Sequence, residues 1–75
     1  MADLNSLTPS KSGVITEIIA DGPLSRRFSD IGLTVGATVR CLFCSPSGDP
    51  KAFKIRGAVI AIRKEDAANI KIRRL

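Results

Sequence analysis

Between two backbone breaks, Gly22-Pro23 and Gly32, apolar side chains recur at Leu24, Phe28 and Ile31, the i, i+4, i+7 spacing that lines up one face of a helix. Pro23 suits the first helical position, where its missing N–H would have no partner anyway, and Gly22 can serve as the cap before it. Arg26, Arg27, Ser29 and Asp30 point away from the stripe. Gly32 can adopt the left-handed conformation that closes a helix, and Leu33 supplies the apolar contact that accompanies such a cap. The spacing therefore predicts a helix over 23–31. A helix this short is not stable alone in water, so its stripe must dock on a core. Val35-Gly36 then fits the centre of a type II turn, with glycine where φ is positive.

The remainder reads as strand and turn. Leu4 and Leu7 form a short apolar anchor, and a turn-rich stretch follows to Gly13. Residues 14–19 are mostly β-branched and predict a first strand, although their alternation is imperfect. Residues 38–44 alternate cleanly, which places Val39, Cys41 and Phe43 in the core and Arg40, Leu42 and Cys44 on the other face. The run 45–50, Ser-Pro-Ser-Gly-Asp-Pro, is dense in turn formers. Residues 52–56 direct Phe53 and Ile55 inward and Lys54 and Arg56 outward. In 58–63, Ile60 and Ile62 are the core candidates, and Val59, Ala61 and Arg63 share the opposite face. A helical turn at 64–69 leads to a last strand over 70–73. About five short strands with tight turns and one helical insertion predict a mainly β fold, a small antiparallel barrel whose open end the helix plugs.

Length and charge narrow the partners. A chain of 75 residues has room for one domain with a small core. No run approaches the ~20 apolar residues needed to span a bilayer, and the first residues lack the layout of a signal peptide, so a cytoplasmic location is expected. Two cysteines without further partners fit a reducing compartment. The net charge of +5 is distributed unevenly. Up to residue 50 there are four basic against five acidic side chains, and from residue 51 onward eight against two. An acidic protein surface, an anionic membrane or nucleic acid could each answer that field.

Little in the sequence supports catalysis. There is no histidine to activate a serine, and Asp21, Asp30 and Asp49 stand in or beside turns, where they cap backbone groups. Cys41-Leu42-Phe43-Cys44 has C-x-x-C spacing, but it lies mid-strand, where alternation sends the two sulfurs to opposite faces, and no further ligands complete a metal site. The expectation is a non-enzyme, with no residue assigned to catalysis, cofactor or metal. Arg40, Lys54, Arg56, Lys71 and Arg73 fall on outward strand positions, yet nucleic-acid modules on small barrels add aromatic platforms, and Phe28, Phe43 and Phe53 are all assigned inward. Leu42, Cys44, Val59 and Ala61 are the less ordinary outward set: either an apolar patch rimmed by cations that would fit a protein partner or self-association, or a surface covered by the N-terminal segment that carries Leu4 and Leu7.

The ordered motifs together resemble the FeoA family of bacterial ferrous iron uptake. The resemblance runs from about Leu7 to Ile72. It rests on Lys11-Ser12-Gly13, on Leu24-Ser25-Arg26-Arg27-Phe28-Ser29-Asp30-Ile31-Gly32-Leu33, on Val35-Gly36, on Ser45-Pro46-Ser47-Gly48-Asp49-Pro50, and on Arg56-Gly57 leading to Ile60-Ala61-Ile62-Arg63. The chain departs from the family pattern at Val35, where a proline is common, at Ser45, where alanine precedes the proline, and at Ala58, where an aromatic is common. The resemblance implies a single SH3-like FeoA domain over 1–75, acting as an adaptor on the cytoplasmic GTPase part of the membrane transporter FeoB and modulating Fe2+ transport. It nominates Arg26, Arg27, Arg56, Val59 and Arg63 for docking. The same module also forms the C-terminal domain of DtxR-like repressors, so the alternative is a stand-alone metal-responsive or nucleic-acid-binding barrel.

Overall fold

Runs of β-branched residues cut by glycine and proline fold here as strands joined by tight turns, with the helix inserted after the first long strand. The computed structural model describes residues 2–75. In chain order the elements are β1 (Ala2–Asp3), a 3-10 turn (Leu4–Ser6), β2 (Ser12–Ile18), α1 (Gly22–Asp30), β3 (Thr38–Cys44), β4 (Lys51–Ile55), β5 (Ala58–Ile62), α2 (Lys64–Ala67) and β6 (Ile70–Arg74). The strands form one antiparallel sheet in the order β1-β6-β2-β3-β4-β5. Among the described residues there are thus six strands where the sequence predicts about five. The added one is only two residues long and exists through pairing of Ala2 with Ile72 and Asp3 with Lys71, which no local pattern announces.

The helix and its exit match expectation. Phe28 is buried, and Leu24 and Ile31 pack half-buried against the same core. Asp21 rather than Gly22 is the cap residue, and Pro23 lies in the first turn. Gly32, at φ +89°, closes the helix, Leu33 N–H donates back to Phe28 O at 2.9 Å, and Leu33 itself is buried. Gly36, at φ +92°, occupies the turn that Ala37 N–H closes onto Thr34 O at 3.0 Å.

The two long strands differ in how far sequence alternation can be trusted. In β2 the register slips between Ile15 and Glu17, leaving Thr16 as a bulge. This is why the alternation is imperfect there, and it lets Ile15 pair with Ile72 and Ile18 with Ile70. In β3 the register slips between Cys41 and Phe43. An extra residue reverses the facing of everything beyond it. Val39 and Cys41 are buried as expected, but Phe43 is 58% exposed, contrary to its core assignment.

The core is completed by Phe53, Ile55, Ile62, Ile70 and Ile72 from the strands and by Leu4 and Leu7, both fully buried. Lys51 fixes that N-terminal segment. Its Nζ donates to Asn5 O at 2.7 Å and Leu7 O at 3.0 Å, satisfying carbonyls at the end of the 3-10 turn. Nearby, Asp49 Oδ1 accepts from Lys64 N–H at 2.8 Å and Asn5 Nδ2 donates to Lys64 O at 3.0 Å, so the 45–50 loop, α2 and the N-terminal segment brace one another.

Candidate partner-binding surface

Burial of Phe28, with Leu24 half-buried beside it, turns the opposite side of α1 to solvent, and Arg26 and Arg27 stand exposed there. With Gly22, Pro23, Asp30 and Ile31 they line a shallow groove of about 600 Å³. Arg56 joins the helix by a different route. The sequence pattern places it at the end of a strand, whereas it occupies the two-residue turn between β4 and β5, with φ +50° followed by Gly57 at φ +82°. Two successive positive φ values are what a tight hairpin needs to match strand twist. The Arg56 side chain folds back, donating from Nη2 to Thr34 Oγ1 at 3.3 Å, and its Cδ lies so close over Gly32 that a Cβ there would meet it at 3.2 Å. A cation is thereby held beside the residue that closes α1, near the helix end where positive charge is favoured.

Val59 is 61% exposed in the middle of β5, opposite Lys54, which in turn lies opposite Arg40. Arg63 is exposed just past the far end of β5, as the cap residue of α2. The five nominated residues are therefore all at the surface, but they do not form one cluster. Arg26, Arg27 and Arg56 belong to the α1 side, and Arg63 stands at the other end of β5 from Arg56.

The residue that sequence reasoning missed is Phe43. Its outward turn sets it in a cross-strand row with Ala52 and Ala61, beside the row of Arg40, Lys54 and Val59. The expected patch of Leu42, Cys44, Val59 and Ala61 becomes one of Phe43, Val59 and Ala61, while Leu42 is half-buried. No signal within 38–44 marks the bulge. The free cysteines are affected as well. Because of the extra residue, Cys44 pairs with Lys51 and returns to the face of Cys41, so the two thiols are not on opposite faces. Burial pushes the Cys41 thiol up, nearby Cys44 adds to that, and Lys51 pulls the other way. Among the described residues no group of three or more His, Cys, Asp or Glu stands together as metal ligands, and no helix is long and apolar enough to cross a membrane.

The family model of the FeoA domain matches residues 2–74. The chain belongs to the FeoA family. A fusion of Fe(2+) transport protein A with the Fe(2+) transporter FeoB from Porphyromonas gingivalis is 29% identical to this FeoA domain over 69 residues, covering 92% of the chain and 8% of the fusion. The domain thus spans less than a tenth of the curated relative it matches. The solution structure of iron(II) transport protein A from Clostridium thermocellum superimposes with a TM-score of 0.95 at 26% identity, over 99% of this chain and 46% of that one. A zinc complex of FeoA from Stenotrophomonas maltophilia, described as a procaryotic SH3 domain protein, is 22% identical with a TM-score of 0.79 over 97% of this chain and 91% of that one. At that identity it speaks for the fold, which is SH3-like in both.

Proposed function

We propose that this FeoA domain is a non-enzymatic adaptor of ferrous iron uptake, docking on the cytoplasmic GTPase part of FeoB and modulating Fe2+ transport. The observation that carries the reading is the relative in which a homologous domain is covalently joined to FeoB. Fusion holds two partners at high effective concentration, an arrangement that serves proteins acting together. Arg26, Arg27 and Arg56 present cations from rigid supports, a helix anchored by Phe28 and a hairpin turn tied to Thr34. Val59 adds exposed apolar surface and Arg63 a further cation. Such a surface favours association with an acidic partner and speeds its encounter. No bond is made or broken by these residues, so the domain acts through the conformation of what it binds, from the cytoplasmic side of the membrane.

The test is a titration of the isolated cytoplasmic part of FeoB with the domain, by calorimetry at low and moderate salt. Binding that weakens with salt, and that falls about tenfold or more in Arg26→Glu/Arg27→Glu, is the expected result. Absence of binding at both salt concentrations, together with salt-sensitive binding to RNA or DNA, would replace this reading with the nucleic-acid alternative.

A further inference from the structure

The sheet ends at β5. Its five residues, Ala58 to Ile62, pair with β4 on one side, and the strand order places nothing on the other. Among the described residues, the backbone hydrogen bonds outside helices and ladders do not include Ala58–Ile62 either. Natural edges are normally protected by charge, proline, a bulge or a covering segment. This one has neither charge nor proline in Ala-Val-Ile-Ala-Ile, its pairing with β4 is unbroken, and Val59 is 61% exposed.

The face beside this edge is equally uncommon. Phe43, 58% exposed, and exposed Ala61 flank buried Ala52 in one row, which sets apolar side chains at the surface both on β3 and at the edge. Next to it Arg40 and Lys54 sit directly opposite each other, a like-charged pair that is unfavourable in the free domain and is relieved by an anion laid over it. Arg56 and Arg63 stand beyond the two ends of β5. Two copies pairing through this edge would bring these cations together, which disfavours self-association.

We infer that the β5 edge receives an extended acidic segment of a partner protein by strand addition, its backbone completing the ladder while its outward side chains, every second residue, are in turn an apolar one lying on the Ala61 and Phe43 row and a carboxylate reaching past Val59 to the Lys54 and Arg40 row. Strand addition draws affinity from main-chain hydrogen bonds and specificity from the alternating side chains, and both halves of that requirement are met here. The inference rests on reading the domain as a protein-docking module and names a mode and chemistry of contact for it. An exposed backbone edge favours a polypeptide over a nucleic acid, which would use the basic face but leave the edge unpaired.

The probe is a short peptide in which every second residue is alternately glutamate and valine, with threonine between them, so that both kinds of side chain fall on one face of the added strand; it is titrated into the isotopically labelled domain, with the peptide carrying lysine for glutamate as control. Amide shifts and slowed hydrogen exchange should concentrate in Ala58–Ile62. Binding should be about tenfold or more weaker for the basic peptide and for Phe43→Glu/Ala61→Glu, whose exposed positions leave the fold intact by the same spectra. Equal binding of both peptides, protection elsewhere than β5, or concentration-dependent protection of β5 without peptide would each overturn the inference. So would an RNA oligonucleotide that shifts Arg40, Phe43 and Lys54 while the acidic peptide binds nothing. Because the probe contains no part of FeoB, its failure leaves the FeoB titration unaffected, and failure of that titration leaves the edge measurement standing.

Discussion

The β3 bulge makes two phenylalanines that look alike in sequence behave differently, and truncating each to alanine measures the effect. Phe53 is fully buried opposite Cys41. Its removal takes away transfer energy and leaves a cavity, at a cost of about 3–5 kcal/mol. Phe43 is 58% exposed, so about two-fifths of its surface is covered. If full burial of such a side chain contributes about 1.5–3 kcal/mol, the covered part contributes roughly 0.6–1.3 kcal/mol, and no sealed cavity is added because the site opens to solvent. A domain of 75 residues has a total stability of about 4–11 kcal/mol. Phe53→Ala should therefore lose about a quarter or more of the stability and can leave the chain unfolded, whereas Phe43→Ala should remain folded with a small shift in midpoint. Urea unfolding followed by far-ultraviolet circular dichroism, with a common slope for both proteins, reads the difference directly. If Phe43→Ala costs as much as Phe53→Ala, Phe43 is a core residue and the assigned register beyond Cys41 is wrong.

Other substitutions examine other supports of the fold. A Cβ on Gly13 would come within 2.9 Å of Ile72 Cδ1 and 3.1 Å of Arg73 O, so Gly13→Ala should cost about 1–2 kcal/mol net of the gain from a stiffer unfolded chain; a melting temperature unchanged in calorimetry would mean that β2 and β6 absorb a methyl group freely. Lys51→Met removes both ammonium hydrogen bonds to the Asn5 and Leu7 carbonyls, and about 1–3 kcal/mol of destabilisation with faster amide exchange in the N-terminal segment is expected. Cys44 is exposed and Cys41 buried, so a thiol reagent should label one site quickly under native conditions and the second after unfolding; mass spectrometry that finds Cys41 labelled first would contradict the packing. Since the Cys41 thiol is pushed above its ordinary value near 9.0 by burial, the folded state holds its proton longer than the unfolded state does. The stability this confers is complete below that pH and declines above it, and Cys41→Ala should flatten that alkaline decline in pH-dependent unfolding.

Features set by near neighbours in the chain were legible in the sequence. The α1 stripe, the Gly32 closure, the Gly36 turn and the one-turn α2 each depend on a few consecutive residues and a backbone rule. Phe53 and Ile55 faced inward as expected because β4 pairs with β5 without a slip. Features set by distant pairing were less accessible. Ala2–Asp3 becomes a strand through β6, and the bulge at Leu42 arises from how β3 meets β4, although 38–44 alternates without a break. The imperfect alternation in 14–19, by contrast, did correspond to a bulge. For the candidate site, exposure of Arg26, Arg27, Val59 and Arg63 followed from the pattern. The position of Arg56 against Gly32 required the tight hairpin, and the exposure of Phe43 required the slip.

The pairing of Ala2 with Ile72 has a consequence for how such a domain can be built into larger proteins. Partnered residues in an antiparallel ladder lie about 4.5–5.5 Å apart between Cα atoms, so the chain leaves the fold close to where it begins, and Leu75 N–H is in turn tied to Ser12 O at 3.0 Å. A polypeptide arriving at one end can depart from the other without crossing the molecule. The domain is therefore geometrically suited to insertion into a surface loop of a host protein, and to circular permutation with a short linker joining its present ends.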